Sequence, residues 1–359
     1  MAGRDHFSED YLASRRRFRE LAPGLGAEME AHPLRATAPD GEPLTIDVAW
    51  FGPRDAKRVV AVSSATHGVE GFMGAAIQCQ LLSDLPAIPE GVAFVLIHAV
   101  NPYGFAYVRR VNEDNIDQNR NFLKDGERWT GAPDGYADFD AMLNPRRPPS
   151  RSTHVTFPLR AIPRILRHGL GTVKTIVAGG QYDFPKGLFF GGRGPSNTME
   201  ILTEQVPQWF GGVEHLLLVD FHSGLGKPGT YKLLVDHTPD APRTRWLSEK
   251  FGAESVQPWD AGEGVAYEIR GGLGTWMKWM LPDAEVDVLA AEFGTTNEIG
   301  VITALTTENR AHHWGAPNDT TTKAAKARLL EAFAPSDPAW RDTVVVRGRR
   351  IVEQALAAV

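Results

Sequence analysis

The sequence predicts an α/β fold, a single domain built on a central mixed, largely parallel sheet flanked by helices. Short apolar runs rich in valine and isoleucine recur along the chain, and stretches with helical patterning separate them. Strands that alternate with helices imply crossover connections, and therefore parallel neighbours in one sheet. No linker divides the 359 residues, and 42% apolar with 23% charged is the composition of a globular protein. One domain over residues 1–359 is the expectation.

Taken in order, the first 35 or so residues read as a helical extension that packs on the main domain, with Arg15-Arg16-Arg17 on a solvated helix face. Strands are expected at 44–51, 58–63, 92–98, 213–221, 231–235 and 286–292. Helices are expected near 71–84, 197–210, 241–252, 271–281, 300–313 and 322–334. Residues 124–158 stand apart. They carry Asp125-Gly126, Pro133-Asp134-Gly135 and Pro145-Arg146-Arg147-Pro148-Pro149, which is turn chemistry, and read as a surface insertion. Arg349-Arg350 again has helix-like surroundings.

Composition removes several function classes. The net charge of −6 and the scattered basic residues give no sign of a nucleic-acid partner. Cys79 is the only cysteine, which excludes an internal disulfide and any multi-cysteine metal site. Its setting reads as a small buried side chain on a helix. No apolar run approaches the ~20 residues that span a bilayer, and the N-terminus lacks an apolar signal region. The expectation is a cytoplasmic protein without a membrane partner.

The chemistry begins where an apolar run ends in Thr66-His67-Gly68-Val69-Glu70-Gly71. His67 and Glu70 stand three apart at the carboxyl end of a strand, the usual place for a site in open α/β sheets. Gly68 and Gly71 are expected to let the backbone turn sharply so that both side chains converge. Alone, His-x-x-Glu is a common pair. A second apolar run ends in Asp220-Phe221-His222-Ser223-Gly224, placing another histidine at a strand terminus. Singly, it reads as an ordinary sheet-edge histidine. Together, two histidines and one glutamate are a ligand set that leaves a coordination position open, as catalytic zinc requires. A third run closes in Glu292-Phe293-Gly294-Thr295. A carboxylate buried there needs a partner. It reads either as a cap of the next turn or as a general base beside activated water.

A polar stretch then offers arginines: Asn101-Pro102-Tyr103-Gly104, Arg109-Arg110-Val111-Asn112, and Asp117-Gln118-Asn119-Arg120-Asn121-Phe122. Such groups can clamp a carboxylate or stabilise an oxyanion. They can equally sit in solvent. Two other chemistries fail on context. Gly224-Leu225-Gly226-Lys227-Pro228-Gly229 fits Gly-x-Gly-x-x-Gly, but a strand-like run follows where dinucleotide binding needs a helix. Ser223 lacks the preceding glycine of a nucleophile elbow.

Over roughly residues 55–300 this set and order of motifs resembles the zinc carboxypeptidase superfamily, which includes the succinylglutamate desuccinylases and aspartoacylases; the chain looks closest to a bacterial branch. The resemblance implies a zinc carboxypeptidase-like fold and zinc held by His67, Glu70 and His222. It implies Glu292 as general base and then acid. Asn119 and Arg120 would bind a substrate carboxylate, and Arg110, or else Arg109, would polarise the scissile carbonyl. Tyr267 is a loose counterpart of the family's substrate-capping tyrosine. The implied activity is cleavage of an amide bond next to a free carboxylate, as a carboxypeptidase acting on small peptides. The alternative is an N-acyl-amino-acid deacylase, and a third reading is a binding protein that keeps the fold without catalysis.

Overall fold

Strands with consecutive apolar residues need cover on both faces, and the central strands are used in that way. In a computed structural model, which describes residues 3–150, 152–258 and 269–359, Val59 and Ala61 join one apolar cluster and Val60 and Val62 another. This is the period-two alternation of a pleated strand buried on both sides.

The described elements run in chain order as follows. Helix α1 (Tyr11–Gly24) precedes strands β1 (Glu28–Thr37), β2 (Pro43–Phe51) and β3 (Arg58–Ser64). Helix α2 (Gly71–Ser83), strand β4 (Val92–His98) and the short helix α3 (Pro102–Ala106) follow. Next come α4 (Tyr136–Leu143), α5 (Thr153–His168), α6 (Leu170–Ala178) and α7 (Asn197–Phe210). Strands β5 (His215–Leu225) and β6 (Tyr231–Val235), helix α8 (Pro242–Phe251), strand β7 (Val256–Pro258) and helix α9 (Leu273–Met280) lead to β8 (Glu285–Thr296). Helices α10 (Glu298–Trp314), α11 (Thr320–Phe333) and α12 (Pro338–Ala358) complete the chain.

The eight strands form one mixed sheet in the order β1-β2-β4-β3-β5-β8-β6-β7. Its centre, β4-β3-β5-β8, is parallel, while β2 and β6 join it antiparallel. Helices α7 and α9 cover one face, and α1, α2, α8 and α12 cover the other. A third apolar cluster joins α4, α5 and α6 to α10 and α11. Among the described residues no helix is long and apolar enough to cross a membrane.

Several expectations are corrected. The first 35 residues are helical only through α1; residues 28–37 form the edge strand β1, paired with β2. Its Glu28, Glu30, His32 and Arg35 are tolerated because an edge strand is half solvated, and that hid it from an apolar-run search. Residues 124–158 are not all loop: α4 and the start of α5 lie there, and Tyr136, Phe139, Met142 and Leu143 are buried. Strands β5 and β8 continue past His222 and Glu292, because the following Ser223-Gly224 and Phe293-Gly294 stay in register. The glycine run at 224–229 leads into β6, with no helix after it.

Candidate metal centre

Ala65, just past the end of β3, has φ of 59°, unusual for a residue with a side chain, and turns the backbone off the sheet. His67 follows in extended conformation and a single 3-10 turn over Gly68–Glu70 swings Glu70 back beside it. Gly68 has no positive φ, and Gly71 sits at φ −57°, so neither glycine serves the sharp turn expected of it. Their role is close approach. A Cβ on Gly68 would lie 2.1 Å from the carbonyl carbon of Gly104, and one on Gly71 would lie 2.6 Å from the Phe105 ring.

That approach stitches two loops together. The Gly68 N–H donates to the Arg110 carbonyl at 3.1 Å, and the Val69 N–H to the Arg109 carbonyl at 2.8 Å. Asn101 completes the join: its Oδ1 accepts from the Gly104 N–H at 2.8 Å and its Nδ2 donates to the Arg110 carbonyl at 3.3 Å. The Asn-Pro-x-Gly turn thus locks the metal loop to the arginine loop.

His67, Glu70 and His222 are buried and meet. His67 Nδ1 lies 3.0 Å from Glu70 Oε1 and 3.3 Å from His222 Nδ1, and His222 Nδ1 lies 3.2 Å from Glu70 Oε2. One ligand atom from each fits within 4.8 Å of the others. Each imidazole can pair with the carboxylate, but two imidazole nitrogens 3.3 Å apart gain nothing from one another, and a shared cation would satisfy all three. Two nitrogens and an oxygen are a donor set that suits zinc.

The far side of each ring is held by a carboxylate. His222 Nε2 is 2.5 Å from Asp220 Oδ2, and Asp220 Oδ1 also accepts from Ser63 Oγ at 2.7 Å and Thr66 Oγ1 at 2.9 Å. His67 Nε2 is 3.2 Å from Asp117 Oδ1. On His222, donating Nε2–H to Asp220 leaves the Nδ1 lone pair inward, the arrangement that orients histidines on metals. His67 Nε2 also lies 2.7 Å from Arg110 Nη2, which together with Asp117 holds that ring in place. Burial alone would raise the carboxyl of Glu70, but the neighbouring His67 and His222 hold it below its usual value. Burial would likewise lower the imidazole of His222, and Asp220 and Glu70 overcome it and raise it well above.

Glu292 faces His222 in register across β5 and β8 and lines the same cavity. Its Oε1 accepts from the Leu225 N–H at 2.9 Å. Burial, and then the negative charge of Glu70, push its carboxyl up to about 7. A carboxylate poised there suits proton transfer near neutrality.

The two arginines separate cleanly. Arg110 lines the cavity, with Nε 2.9 Å from Asp117 Oδ2 and Nη1 3.3 Å from Glu70 Oε1, and its guanidinium lies over the Phe189 ring. Arg109 is fully buried elsewhere. Its Nε binds Glu308 Oε1 and its Nη2 binds Asn115 Oδ1, both at 3.0 Å. Asn119 and Arg120 also line the cavity. Asn119 Oδ1 accepts from the Leu273 N–H at 3.0 Å. Arg120 anchors to the end of α6 through the Ala178 carbonyl, at 3.0 Å from Nε and 2.6 Å from Nη2. Tyr267 lies outside the described residues.

Sequence reasoning passed over Asp117 and Asp220 as orienting groups. For Asp220 the signal was present, since residues two apart on a strand share a face and Asp220 precedes His222 by two. It also passed over the cavity wall. Met142 and Leu143 of α4, Phe157 of α5, Val177 of α6, and Val301 and Leu305 of α10 make most of one side apolar. About 140 Å³ is free inside, close to the size of a cavity that admits a benzene ring.

The sequence profile of a family described as "Protein of unknown function (DUF2817)" matches residues 7–347. The chain belongs to that family. No curated protein matches the DUF2817 chain in sequence. Among solved structures it is similar to carboxypeptidase A from Helicoverpa armigera, at 12% identity over 92% of this chain and 75% of that one, with a TM-score of 0.46. It is also similar to murein-tripeptide amidase MpaA from Escherichia coli O157, at 17% identity over 81% and 93%, with a TM-score of 0.39. A metallo-carboxypeptidase from Pseudomonas aeruginosa matches at 12% identity over 95% and 68%, with a TM-score of 0.39. What the DUF2817 site can do therefore rests on its own side chains.

Proposed function

We propose that this protein is a zinc-dependent hydrolase that cleaves an amide bond next to a free carboxylate, most simply as a carboxypeptidase acting on small peptides. The observation that carries the reading is the meeting of His67, Glu70 and His222 within 4.8 Å, with Glu292 on the adjacent strand at the same level. A zinc ion bound by the three would supply Lewis acidity toward water and carbonyl.

The chain's own residues do the rest. Glu292, once ionised, takes a proton from the attacking water and returns it to the leaving nitrogen, the two halves of general base and general acid work. Arg110 is fixed by Asp117 and directed into the cavity, where its guanidinium stabilises the negative charge that develops on the carbonyl oxygen. Asn119 and Arg120, on the same wall, orient the substrate carboxylate.

The apolar side of the cavity favours a second reading, an N-acyl-amino-acid deacylase whose acyl group is apolar. A panel of C-terminally free dipeptides and N-acyl amino acids, assayed before and after chelation, separates the two. Turnover of dipeptides that stops on chelation and returns with zinc supports the first reading. Turnover confined to acylated amino acids moves the assignment to the second, and chelator-resistant activity removes both.

A further inference from the structure

Helix α5 has two faces with different duties. Its inner face sends Phe157 and Ala161 into the cavity wall, packed with residues of α4 and α10. Its start is tied to α10 by Arg310, whose Nη1 lies 3.2 Å from Thr153 Oγ1 and whose Nη2 donates to the Pro148 carbonyl at 2.7 Å.

The outer face is apolar and uncovered. Val155, Leu159, Ile162 and Leu166 are 54%, 67%, 42% and 81% exposed. Their spacings of four, three and four place them on one stripe of the helix. The other exposed large hydrophobics among the described residues, Leu25, Trp279, Trp314 and Val346, are scattered over the fold. Scattered exposure is ordinary, whereas a contiguous stripe marks a surface meant to be covered.

Charge decides what covers it. From residue 141 to residue 182 the sequence has seven lysines and arginines and not one aspartate or glutamate, in a chain whose overall charge is −6. Arg146, Arg147 and Arg167 in this segment are exposed. A second copy of this chain, set stripe to stripe, would bring two such basic segments together. An apolar stripe flanked by basic residues matches the boundary between lipid headgroups and acyl chains, where anionic headgroups attract the cations.

We propose that α5 docks this protein on an anionic lipid surface, with the Val155, Leu159, Ile162 and Leu166 stripe seated in the interface. The expectation of no membrane partner rested on the lack of a spanning segment, and a helix that lies in the interface needs none. Because the inner face of α5 is part of the cavity wall, docking sets the metal centre's cavity beside the bilayer.

The test is co-sedimentation of the full-length protein with vesicles of neutral phosphatidylcholine, or of phosphatidylcholine with phosphatidylserine. The protein is expected to pellet with the anionic vesicles, and less so as salt rises. The double substitution L159E/L166E is expected to weaken that binding by about tenfold or more, with an unchanged melting temperature since both side chains are exposed. The triple substitution R146Q/R147Q/R167Q removes charge without touching the stripe and is expected to weaken it as well. Failure to pellet with anionic vesicles overturns the proposal, as does equal binding to neutral ones. A dimer in solution that L159E/L166E converts to monomer, without any vesicle binding, assigns the stripe to a second copy instead.

Discussion

Asp220 stands two residues before His222 on β5, and its Oδ2 lies 2.5 Å from the Nε2 of that histidine. The pair fixes which nitrogen of His222 faces Glu70. Replacing Asp220 by Asn keeps the shape and removes the charge, so zinc affinity should fall by roughly 10–100-fold. Competition with a chromophoric chelator reads this directly. Unchanged affinity would mean that Asp220 does no more than pair strands.

The two adjacent arginines should fail differently. Arg109→Met takes from the buried Glu308 its guanidinium partner and leaves Lys326 at 3.0 Å. A loss of about 3–5 kcal/mol is expected in denaturant unfolding. Arg110→Met also costs stability, because it takes a guanidinium from the buried Asp117. In the folded enzyme it should in addition slow turnover by about 10²–10³-fold, whereas folded Arg109→Met should keep its turnover. The reverse pattern would assign the oxyanion role to Arg109.

Gly68 should not tolerate even one methyl group. The Cβ of Gly68→Ala meets the Gly104 backbone at about 2 Å, and backbone cannot yield as a flexible side chain would. A cost of at least 1–3 kcal/mol follows, together with weaker zinc binding, since the two loops must part. A melting temperature equal to that of the parent chain would contradict the close packing of these loops.

The pH profile carries a sign. Burial and Glu70 raise the Glu292 carboxyl to about 7, so the group is increasingly protonated below that pH and cannot act as a base. A bound cation favours the ionised form and draws the value down. The acid limb of kcat/KM is therefore expected at or below pH 7, and Glu292→Gln should abolish turnover while keeping zinc. A limb that persists in a still-active Glu292→Gln variant would exclude Glu292 as its source.

The parts of this fold that could be read from sequence are those where burial is two-sided. Strands β3, β4, β5 and β8 each carry a run rich in buried apolar residues, and the ligands follow from the change to His67, His222 and Glu292 at or past the ends of those runs. What escaped reading is one-sided or tertiary. Edge strand β1 alternates with charge. The role of Gly68 depends on a loop more than thirty residues away. The partition between Arg109 and Arg110 depends on Glu308, which α10 delivers from the far end of the chain. Part of the apolar cavity wall comes from α4 and α5, which begin in a stretch rich in turn residues.

Metal stoichiometry tests the central claim most directly. Elemental analysis of the purified chain after zinc loading and dialysis should find one equivalent, and His67→Ala and His222→Ala variants that remain folded should each retain almost none. A parent chain that holds no zinc, or a histidine variant that still holds a full equivalent, would contradict the shared site of His67, Glu70 and His222.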